Sequence, residues 1–181
     1  MRRKITKEIQ IPSGIECKFE DNLFICKKNN DIVYKKILLP SKITIKIEND
    51  KVVVSSDKAN KKLHAIINTI AAHINNLFKG HEKDFIYELE ICNVHFPMSV
   101  KAEKNQVVIT NFLGEKQKRT AKILQNVNVE VKANMIIVSS KDIEAAGQTA
   151  ANIEHATQIS KRDRRVFQDG CFITKKPGDK E

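Results

Sequence analysis

The chain has 181 residues, of which 41% are hydrophobic, and this is enough for one ordinary domain or two small ones. Its formal charge of +10 and pI near 9.4 favour a polyanionic partner such as a nucleic acid, although a solvated lysine-rich surface is the alternative. No apolar run approaches the roughly 20 residues of a membrane span, and none follows the basic segment 1–7, so we expect a soluble chain without a secretory signal.

The cysteines do not form a metal-binding or disulfide pattern. They are widely spaced, no Cys-x-x-Cys pair occurs, and no nearby histidine completes a zinc motif. Each lies among apolar or β-prone neighbours, where a free thiol packs as a small hydrophobe. We therefore expect the protein to bind no metal and no other cofactor. Free thiols at Cys17, Cys26, Cys92 and Cys171 favour a reducing, cytoplasmic location for the protein.

The first structural pattern is a β-hairpin followed by a helix. Residues 43–48 alternate apolar and polar side chains, a turn follows at 49–50, and the apolar run 52–56 ends in two serines. A helix then begins near Asp57, whose carboxylate is suited to cap it, and ends at Gly80. Its predicted buried stripe is Leu63, Ile66, Ile67, Ile70, Ile74 and Leu77.

The same pattern recurs at an offset of 84 residues. Residues 127–131 alternate, a turn follows at 133–134, and 136–140 again ends in two serines. A second helix begins near Asp142, and its inner side chains are smaller, so its backbone should lie closer to its sheet. These inner positions are Ile143, Ala146, Gly147, Ala150, Ile153 and Thr157. Coincidence between two unrelated units is the less favoured explanation.

A hairpin cannot bury its apolar face alone and needs a covering element. The repeat therefore predicts an α+β fold of two tandem similar domains, each an antiparallel sheet covered by one main helix. We place the domains at 1–80 and 81–181. Further strands of the second domain are predicted at 85–90, 95–101 and 107–111.

A basic loop at 111–119 turns at Gly114 and presents Lys116, Lys118 and Arg119 before the next apolar run. Cations on a loop can approach phosphates without straining a sheet. An ordinary solvated turn is an equally good explanation for this loop taken alone.

A second basic segment, 160–170, follows the second helix and holds three of the chain's six arginines. Guanidinium groups can bind phosphate through two hydrogen bonds or stack on bases, which lysine cannot do. The cations of this segment are Lys161, Arg162, Arg164 and Arg165. A merely solvated or nuclear-import-like charge run is less favoured.

The other side chains of this segment are also informative. Asp163 and Gln168 interrupt the cations with groups suited to specific hydrogen bonds. We expect Phe167 to be buried in the core rather than to stack on bases, and Asp169 with Gly170 to close a hairpin. The tail 175–181 is expected to be a flexible end.

Four stretches together resemble the archaeal and eukaryotic branch of the ribosomal protein L6 family. In chain order they are His-Phe-Pro at 95–97, Asn-Phe-Leu-Gly-Glu-Lys at 111–116, Gln-Thr-Ala-Ala-Asn-Ile-Glu at 148–154 and Arg-Asp-Arg-Arg-Val-Phe-Gln-Asp-Gly at 162–170. All four lie in the second predicted domain. Their order makes the resemblance more specific than any basic patch.

The resemblance implies two similar α+β domains, no catalytic activity, and a place on the large ribosomal subunit beside the sarcin-ricin loop and the stalk base. Large-subunit ribosomal RNA and neighbouring large-subunit and stalk-base proteins would be the partners, with translational GTPases binding close by. The implied RNA-binding residues are Lys116, Lys118, Arg119, Gln148, Asn152, Lys161, Arg162, Arg164, Arg165 and Gln168.

The first domain matches the family less well. A Gly-Pro-rich turn is usual early in that domain, whereas this chain has Cys-Lys-Lys-Asn-Asn-Asp at 26–31. We therefore expect a divergent loop there and transfer no RNA contacts to the first domain.

The sequence does not favour an enzyme, because it contains no nucleophile elbow, no phosphate-binding glycine loop and no metal-spaced histidines. The five histidines are spread over different predicted elements. With 6% aromatic residues and no tryptophan, recognition of phosphate, 2′-hydroxyl and RNA shape is favoured over base stacking. A free RNA-binding module and a protein-only scaffold are the alternative functions.

Overall fold

The computed structural model describes residues 3–28, 31–48 and 50–179, and contacts between Cα atoms divide them into two compact units. The first unit ends at Lys83 and the second begins at Asp84. Each unit combines antiparallel sheets with one helix, which confirms the predicted fold class. The predicted turn residue Asn49 and the loop residues Asn29 and Asn30 lie outside the described residues, as do Met1, Arg2, Lys180 and Glu181.

The described part of the first unit forms two three-stranded antiparallel sheets and a helix. Its elements are β1 (Arg3–Gln10), β2 (Glu16–Glu20), β3 (Leu23–Lys28), β4 (Asp31–Lys36), β5 (Thr44–Glu48), β6 (Lys51–Ala59) and α1 (Lys61–Glu82). One sheet has the strand order β1-β6-β5 and the other β2-β3-β4.

The second unit repeats this order of elements and adds one strand after its helix. Its described elements are β7 (Phe85–Cys92), β8 (Ser99–Ala102), β9 (Gln106–Thr110), β10 (Arg119–Lys122), β11 (Asn128–Lys132), β12 (Met135–Ser140), α2 (Ile143–Ala156) and β13 (Gly170–Lys175). The sheets have the orders β10-β9-β8 and β11-β12-β7-β13.

Strand register confirms the repeat inferred from the sequence. Ile45 of β5 lies opposite Val54 of β6, and 84 residues later Val129 of β11 lies opposite Val138 of β12. Because a shift of one residue would turn every side chain to the other face, this match places the same apolar positions on the same face in both units.

The predicted start of α1 is wrong. Asp57 lies within β6, which continues to Ala59 because Ala59 still pairs with Arg3 of β1. The cap is Asn60, whose side-chain oxygen accepts the amide hydrogen of Leu63 at 2.9 Å. The helix also runs beyond the predicted end at Gly80, to Glu82.

The apolar stripe of α1 packs against its sheets as predicted. Ile67, Ile70, Ile74 and Leu77 are buried with Val52 and Val54 of β6, while Leu63 and Ile66 pack partly buried against the same core. Burying a side chain of this size contributes about 1.5–3 kcal/mol, so the helix stabilises the first unit mainly through this face.

Helix α2 begins as predicted and lies close to its sheet. The Asp142 carboxylate accepts the Glu144 amide hydrogen at 3.0 Å. At Gly147 a Cβ atom would lie 2.8 Å from the Tyr87 hydroxyl oxygen on β7. Since real Cβ atoms do not approach so closely, the glycine permits this spacing between helix and sheet.

Two strand predictions in the second unit need correction. The strand predicted at 95–101 begins only at Ser99, because the amides of Val94 and His95 donate to the Asp169 carboxylate at 2.8 and 2.9 Å. The proline at 97 has no amide hydrogen for a strand ladder. Asp169 and Gly170 do not close a hairpin either, since β13 pairs with β7, far back in the chain.

The described part of the tail, residues 175–179, has defined hydrogen bonds, contrary to the expectation of a flexible end. Lys175 is the last residue of β13, and the Lys176 amide donates to the Asp179 carboxylate at 2.9 Å. The chain therefore keeps defined hydrogen bonds to the end of the described residues.

Candidate RNA-binding surface

The loop between β9 and β10 has an unusual backbone that fixes its position. Asn111 and Leu113 have φ angles of 59° and 49°, and Gly114 has φ of 77°. The Asn111 side chain donates from Nδ2 to the Pro97 carbonyl oxygen at 2.9 Å, while Phe112 is fully buried in the core of the second unit. These contacts hold the loop against the segment that contains His95, Phe96 and Pro97.

Gly114 fits this arrangement closely. A Cβ atom there would contact the Phe96 ring at 3.5 Å, and the positive φ angle is one that other residues rarely adopt. The two motifs at 95–97 and 111–116 thus contact each other in the folded unit.

Arg119 is held within the protein and is not a free cation. Its Nε and Nη2 atoms donate to the Glu115 carboxylate at 2.8 and 2.6 Å, and Nη1 donates to the carbonyl oxygens of Ala156 and Gln158 at 3.0 and 3.3 Å. Its Cζ atom lies 4.2 Å from the centre of the Phe112 ring. The guanidinium group therefore connects the basic loop to the end of α2.

The contacts of Arg119 change the pKa of the Glu115 carboxylate. The hydrogen bond from Arg119 lowers the pKa of Glu115, and the charges of Arg119 and Arg162 act in the same direction. The hydrogen bonds of Arg119 to the Ala156 and Gln158 carbonyl oxygens place the start of the segment after α2 beside this loop. By contrast, Lys116 and Lys118 are exposed, and neither has an acidic partner among the described residues.

The segment after α2 is shaped by its own polar side chains. The Asp163 carboxylate accepts the Arg165 amide hydrogen at 2.9 Å, and the Asp163 carbonyl accepts the Phe167 amide hydrogen at 2.9 Å. Gln168 donates from its side chain to the Arg165 carbonyl at 3.2 Å. Hydrogen bonds of Asp163 and Gln168 thus form the turn, and all four cations of the segment are exposed: Lys161, Arg162, Arg164 and Arg165.

Phe167 does not enter the core, contrary to the prediction. It is partly buried, and its ring stacks on the His95 ring with 5.0 Å between ring centres. The Arg162 Cζ atom lies 4.8 Å from the centre of the same ring. Phe167 therefore connects the basic segment to the His-Phe-Pro motif.

Asp169 anchors the end of this segment. Its buried carboxylate accepts hydrogen bonds from the amides of Val94 and His95, and one oxygen lies 2.7 Å from His95 Nδ1. Burial alone would raise the pKa of Asp169, but the hydrogen bonds from His95 and Val94 outweigh it and lower the pKa. The ionised carboxylate is thus a structural group.

Gln148 and Asn152 form a pair on α2. The Gln148 side chain donates to Asn152 Oδ1 at 3.0 Å, and Asn152 donates from Nδ2 to the Lys122 carbonyl on β10 at 3.0 Å. Asn152 fastens the helix to the neighbouring strand, while Gln148 is exposed. Only Gln148 of the two presents much of its side chain to solvent.

The contacts of Arg119 and Phe167 link the two segments that carry the exposed cations, through the end of α2 and the His-Phe-Pro motif. We call the set Lys116, Lys118, Lys161, Arg162, Arg164 and Arg165 the basic surface. Sequence reasoning identified all six, but it missed Glu115, His95 and Asp169, which position them. An acidic residue four positions before Arg119 was the available signal for the first.

A groove of about 460 Å³ lies beside the basic segment and was also not predicted. The side chains that line it come from separate stretches of the chain, so no local sequence pattern could predict it. Its lining residues include Glu154, His155, Gln158, Arg164 and Phe172.

Within residues 3–28, 31–48 and 50–179, no three His, Cys, Asp or Glu side chains lie together in a way that could hold a metal ion. Neither α1 nor α2 is long and apolar enough to span a membrane.

Comparison with known proteins agrees with the motifs of this surface. The family model described as "Ribosomal protein L6" matches residues 96–170, which include both basic segments. The chain is 42% identical over 174 residues to "Large ribosomal subunit protein uL6" of Methanococcus vannielii, covering 96% of this chain and 95% of that protein.

Two other archaeal proteins with the same description are similar over comparable lengths. The Haloarcula marismortui protein is 42% identical over 94% of this chain and 95% of its own length. The Methanosarcina mazei protein is 40% identical over 97% of this chain and 99% of its own length. Because identity of this level extends over nearly the whole chain, the protein belongs to the ribosomal protein L6 family.

Proposed function

We propose that this chain is a structural constituent of the large ribosomal subunit and binds ribosomal RNA through the basic surface of its second unit. The observation that carries this proposal is the linkage of two basic segments that are distant in sequence. Arg119 bonds the basic loop to the carbonyl oxygens of Ala156 and Gln158, and Phe167 stacks on His95, whose His-Phe-Pro motif contacts the basic loop at Gly114. A protein that needed positive charge only for solubility would not require its two basic segments to be linked.

The chemistry of the basic surface suits an RNA backbone. Lysine and arginine neutralise phosphates and release counterions, and arginine can bind one phosphate through two hydrogen bonds. The aromatic ring of Phe167 is already in contact with His95 and Arg162, so base stacking is not its role. Recognition would rest on phosphate positions and RNA shape.

The proposal assigns different roles to the predicted RNA-binding residues. Lys116, Lys118, Lys161, Arg162, Arg164 and Arg165 would contact RNA, and the exposed Gln148 could join them. Arg119, Asn152 and Gln168 would instead hold the protein side of the surface in place, because their side chains are bonded to protein carbonyl or carboxylate groups.

Family membership supports a proposal for the location within the subunit. We propose a position beside the sarcin-ricin loop and the stalk base, with translational GTPases binding nearby and neighbouring large-subunit and stalk-base proteins as partners. On this proposal, the protein acts on cytoplasmic ribosomes. The proposed role is support of RNA structure and requires no catalytic group.

Sedimentation of cell lysate on a sucrose gradient tests the proposal. Tagged wild type should travel with large subunits and polysomes at low salt and at moderately raised salt. The variant Arg164→Ala/Arg165→Ala should move in part to the top fractions, because exposed cations contribute to RNA binding more than to folding. The control Lys27→Ala/Lys36→Ala removes the same charge from exposed positions of the first unit and should sediment as wild type.

Three outcomes would contradict the proposal. Wild type that stays among free proteins but still binds RNA would indicate a free RNA-binding module. Wild type that stays there without RNA would favour a protein scaffold. Incorporation of Arg164→Ala/Arg165→Ala equal to that of wild type would show that the basic surface is not the RNA contact.

A further inference from the structure

Two cysteines of the first unit face each other across neighbouring strands. Cys17 on β2 lies directly opposite Cys26 on β3, and their sulfur atoms are 3.8 Å apart. β2 is an edge strand of its sheet, whereas β3 is the central strand. Accordingly Cys17 is partly exposed and Cys26 is fully buried.

This geometry is close to that of a disulfide. Directly opposed residues in antiparallel strands have Cα atoms roughly 4.5–5.5 Å apart, within the range that disulfides span. A covalent bond needs the sulfurs at about 2.05 Å, so they must approach by roughly 1.8 Å. Rotation of the two short side chains towards each other can supply much of this movement without a change of strand register.

The second unit contains a pair of cysteines that cannot make such a bond. Cys92 lies opposite Gly170, and Cys171 lies opposite Ile91. Because side chains alternate between faces along a strand, Cys92 and Cys171 point to opposite faces of their sheet. The chain thus provides an internal comparison for the reactivity of the first pair.

The charge state of the pair favours attack by the accessible sulfur. The hydrogen bond from Cys26 lowers the pKa of Cys17, against the opposing effect of burial. The same interaction and burial raise the pKa of Cys26. The thiolate, which is the nucleophile in disulfide exchange, therefore forms first on the sulfur nearer to solvent.

We propose that Cys17 and Cys26 are an oxidisable dithiol that undergoes exchange with a small disulfide such as glutathione disulfide. The Cys17 thiolate attacks one sulfur of that disulfide, forms a mixed disulfide and releases one small thiolate. Cys26 then loses its proton to solvent and attacks the Cys17 sulfur, which releases the second small thiolate. The two cysteines are oxidised together, and the small disulfide is reduced to two thiols.

This inference goes beyond the proposed function and does not depend on it. The site lies on β2 and β3 of the first unit, whereas the basic surface lies in the second. Failure of RNA binding would leave the dithiol chemistry unchanged, and the reverse is also true. A cross-link would join β2 to β3 covalently.

The test equilibrates the full-length folded protein in glutathione buffers with a rising fraction of the disulfide, followed by acid quenching and mass mapping of cysteine peptides. Wild type should form the Cys17–Cys26 cross-link, with a loss of about two hydrogen masses, at a disulfide fraction at least about tenfold lower than that which modifies Cys92. The variant Cys26→Ser should instead accumulate a mixed disulfide at Cys17, and Cys92→Ser should form the cross-link as wild type does.

Retention of both thiols at disulfide fractions that modify Cys92 would overturn the inference. So would a map in which Cys17 joins any cysteine other than Cys26. Because the wild-type map needs no substitution, it decides the question even if the buried Cys26→Ser change prevents folding.

Discussion

The two units share one order of strands and helix but fill it with side chains of different size. α1 packs isoleucine and leucine against its sheets, including Ile67 and Ile74, whereas α2 presents Ala146, Ala150 and Gly147 to its own. The same repeat therefore accommodates helices whose inner side chains differ in size. The two units therefore share a backbone topology but differ in the side chains that form their cores.

The units also differ in their loops. β3 ends at Lys28 and β4 begins at Asp31, whereas the corresponding strands β9 and β10 end at Thr110 and begin at Arg119. The second unit also has the segment between α2 and β13. Its basic surface is built on these longer connections, so under the proposed function one copy of the repeat carries the RNA contacts.

The largest effect on stability is expected from truncation in α1. Ile74→Ala removes a fully buried side chain and should lower the free energy of unfolding of the first unit by about 2–5 kcal/mol. Urea unfolding followed by hydrogen exchange and mass spectrometry reports each unit separately. Ile74→Val is the control and should cost about 0.5–1.5 kcal/mol. A loss spread equally over both units would contradict the division between their cores.

The next effect concerns the buried carboxylate of the second unit. Asp169→Asn should lower the free energy of unfolding by about 1.5–3 kcal/mol at neutral pH, because the charged hydrogen bonds to His95 and Val94 are weakened. The lowered pKa of Asp169 means that this contribution is complete above its ordinary value and is lost as pH falls through the folded-state pKa.

Urea unfolding of wild type and Asp169→Asn between about pH 2 and 7 measures this dependence. The difference between the two proteins should be constant down to about pH 4 and then shrink. A difference that stays the same at the lowest pH would show that the Asp169 charge does not stabilise the fold.

Enlargement of an inner α2 residue should destabilise the second unit. Ala150→Leu adds volume where the helix lies close to its sheet and should cost about 1–3 kcal/mol through overpacking. Ala151→Leu, at a neighbouring and less buried position, is the control in the same unfolding assay. Equal tolerance of both changes would mean that α2 has room at its inner face.

The smallest expected effects on the free energy of unfolding come from substitution of two arginines of the second unit. Arg119→Ala should lower the free energy of unfolding by about 1–2 kcal/mol, since it breaks bonds to Glu115 and two carbonyl oxygens. Arg164→Ala should change it by about 0.5 kcal/mol or less, because its side chain is exposed.

Arg119→Lys provides a matched control for charge. It should not restore the stability lost in Arg119→Ala. One ammonium nitrogen cannot replace the separate guanidinium nitrogens that donate to the Glu115 carboxylate and to the two carbonyl oxygens. Equal losses for Arg119→Ala and Arg164→Ala would contradict the structural role of Arg119.

Local patterns in the sequence predicted much of the fold. The alternation at 43–48 and 127–131, the apolar stripe of α1 and the cap at Asp142 are confirmed, because each depends on residues close together in the chain. The cap at Asp57 was wrong because pairing of Ala59 with Arg3 extends β6. The hairpin at 169–170 was wrong because Asp169 binds residues more than 70 positions earlier.

Prediction of the basic surface from the sequence was limited in the same way, by contacts between residues distant in the chain. Composition and resemblance identified the cations, but they could not separate Arg164, which is exposed, from Arg119, which is bonded to α2 carbonyls. Both are arginines in basic stretches. The distinction depends on where the chain brings Glu115 and the end of the helix, and this is a property of the tertiary structure.

The salt dependence of binding to purified large-subunit ribosomal RNA tests the central claim most directly. Wild type is compared with Arg162→Ala/Arg164→Ala/Arg165→Ala and with the equally charged control Lys18→Ala/Lys27→Ala/Lys36→Ala in the first unit. The slope of log binding constant against log salt should fall in magnitude by about two to three for the arginine variant and by less than about one for the lysine control. Equal falls for the two variants would contradict an RNA-binding role specific to the basic surface of the second unit.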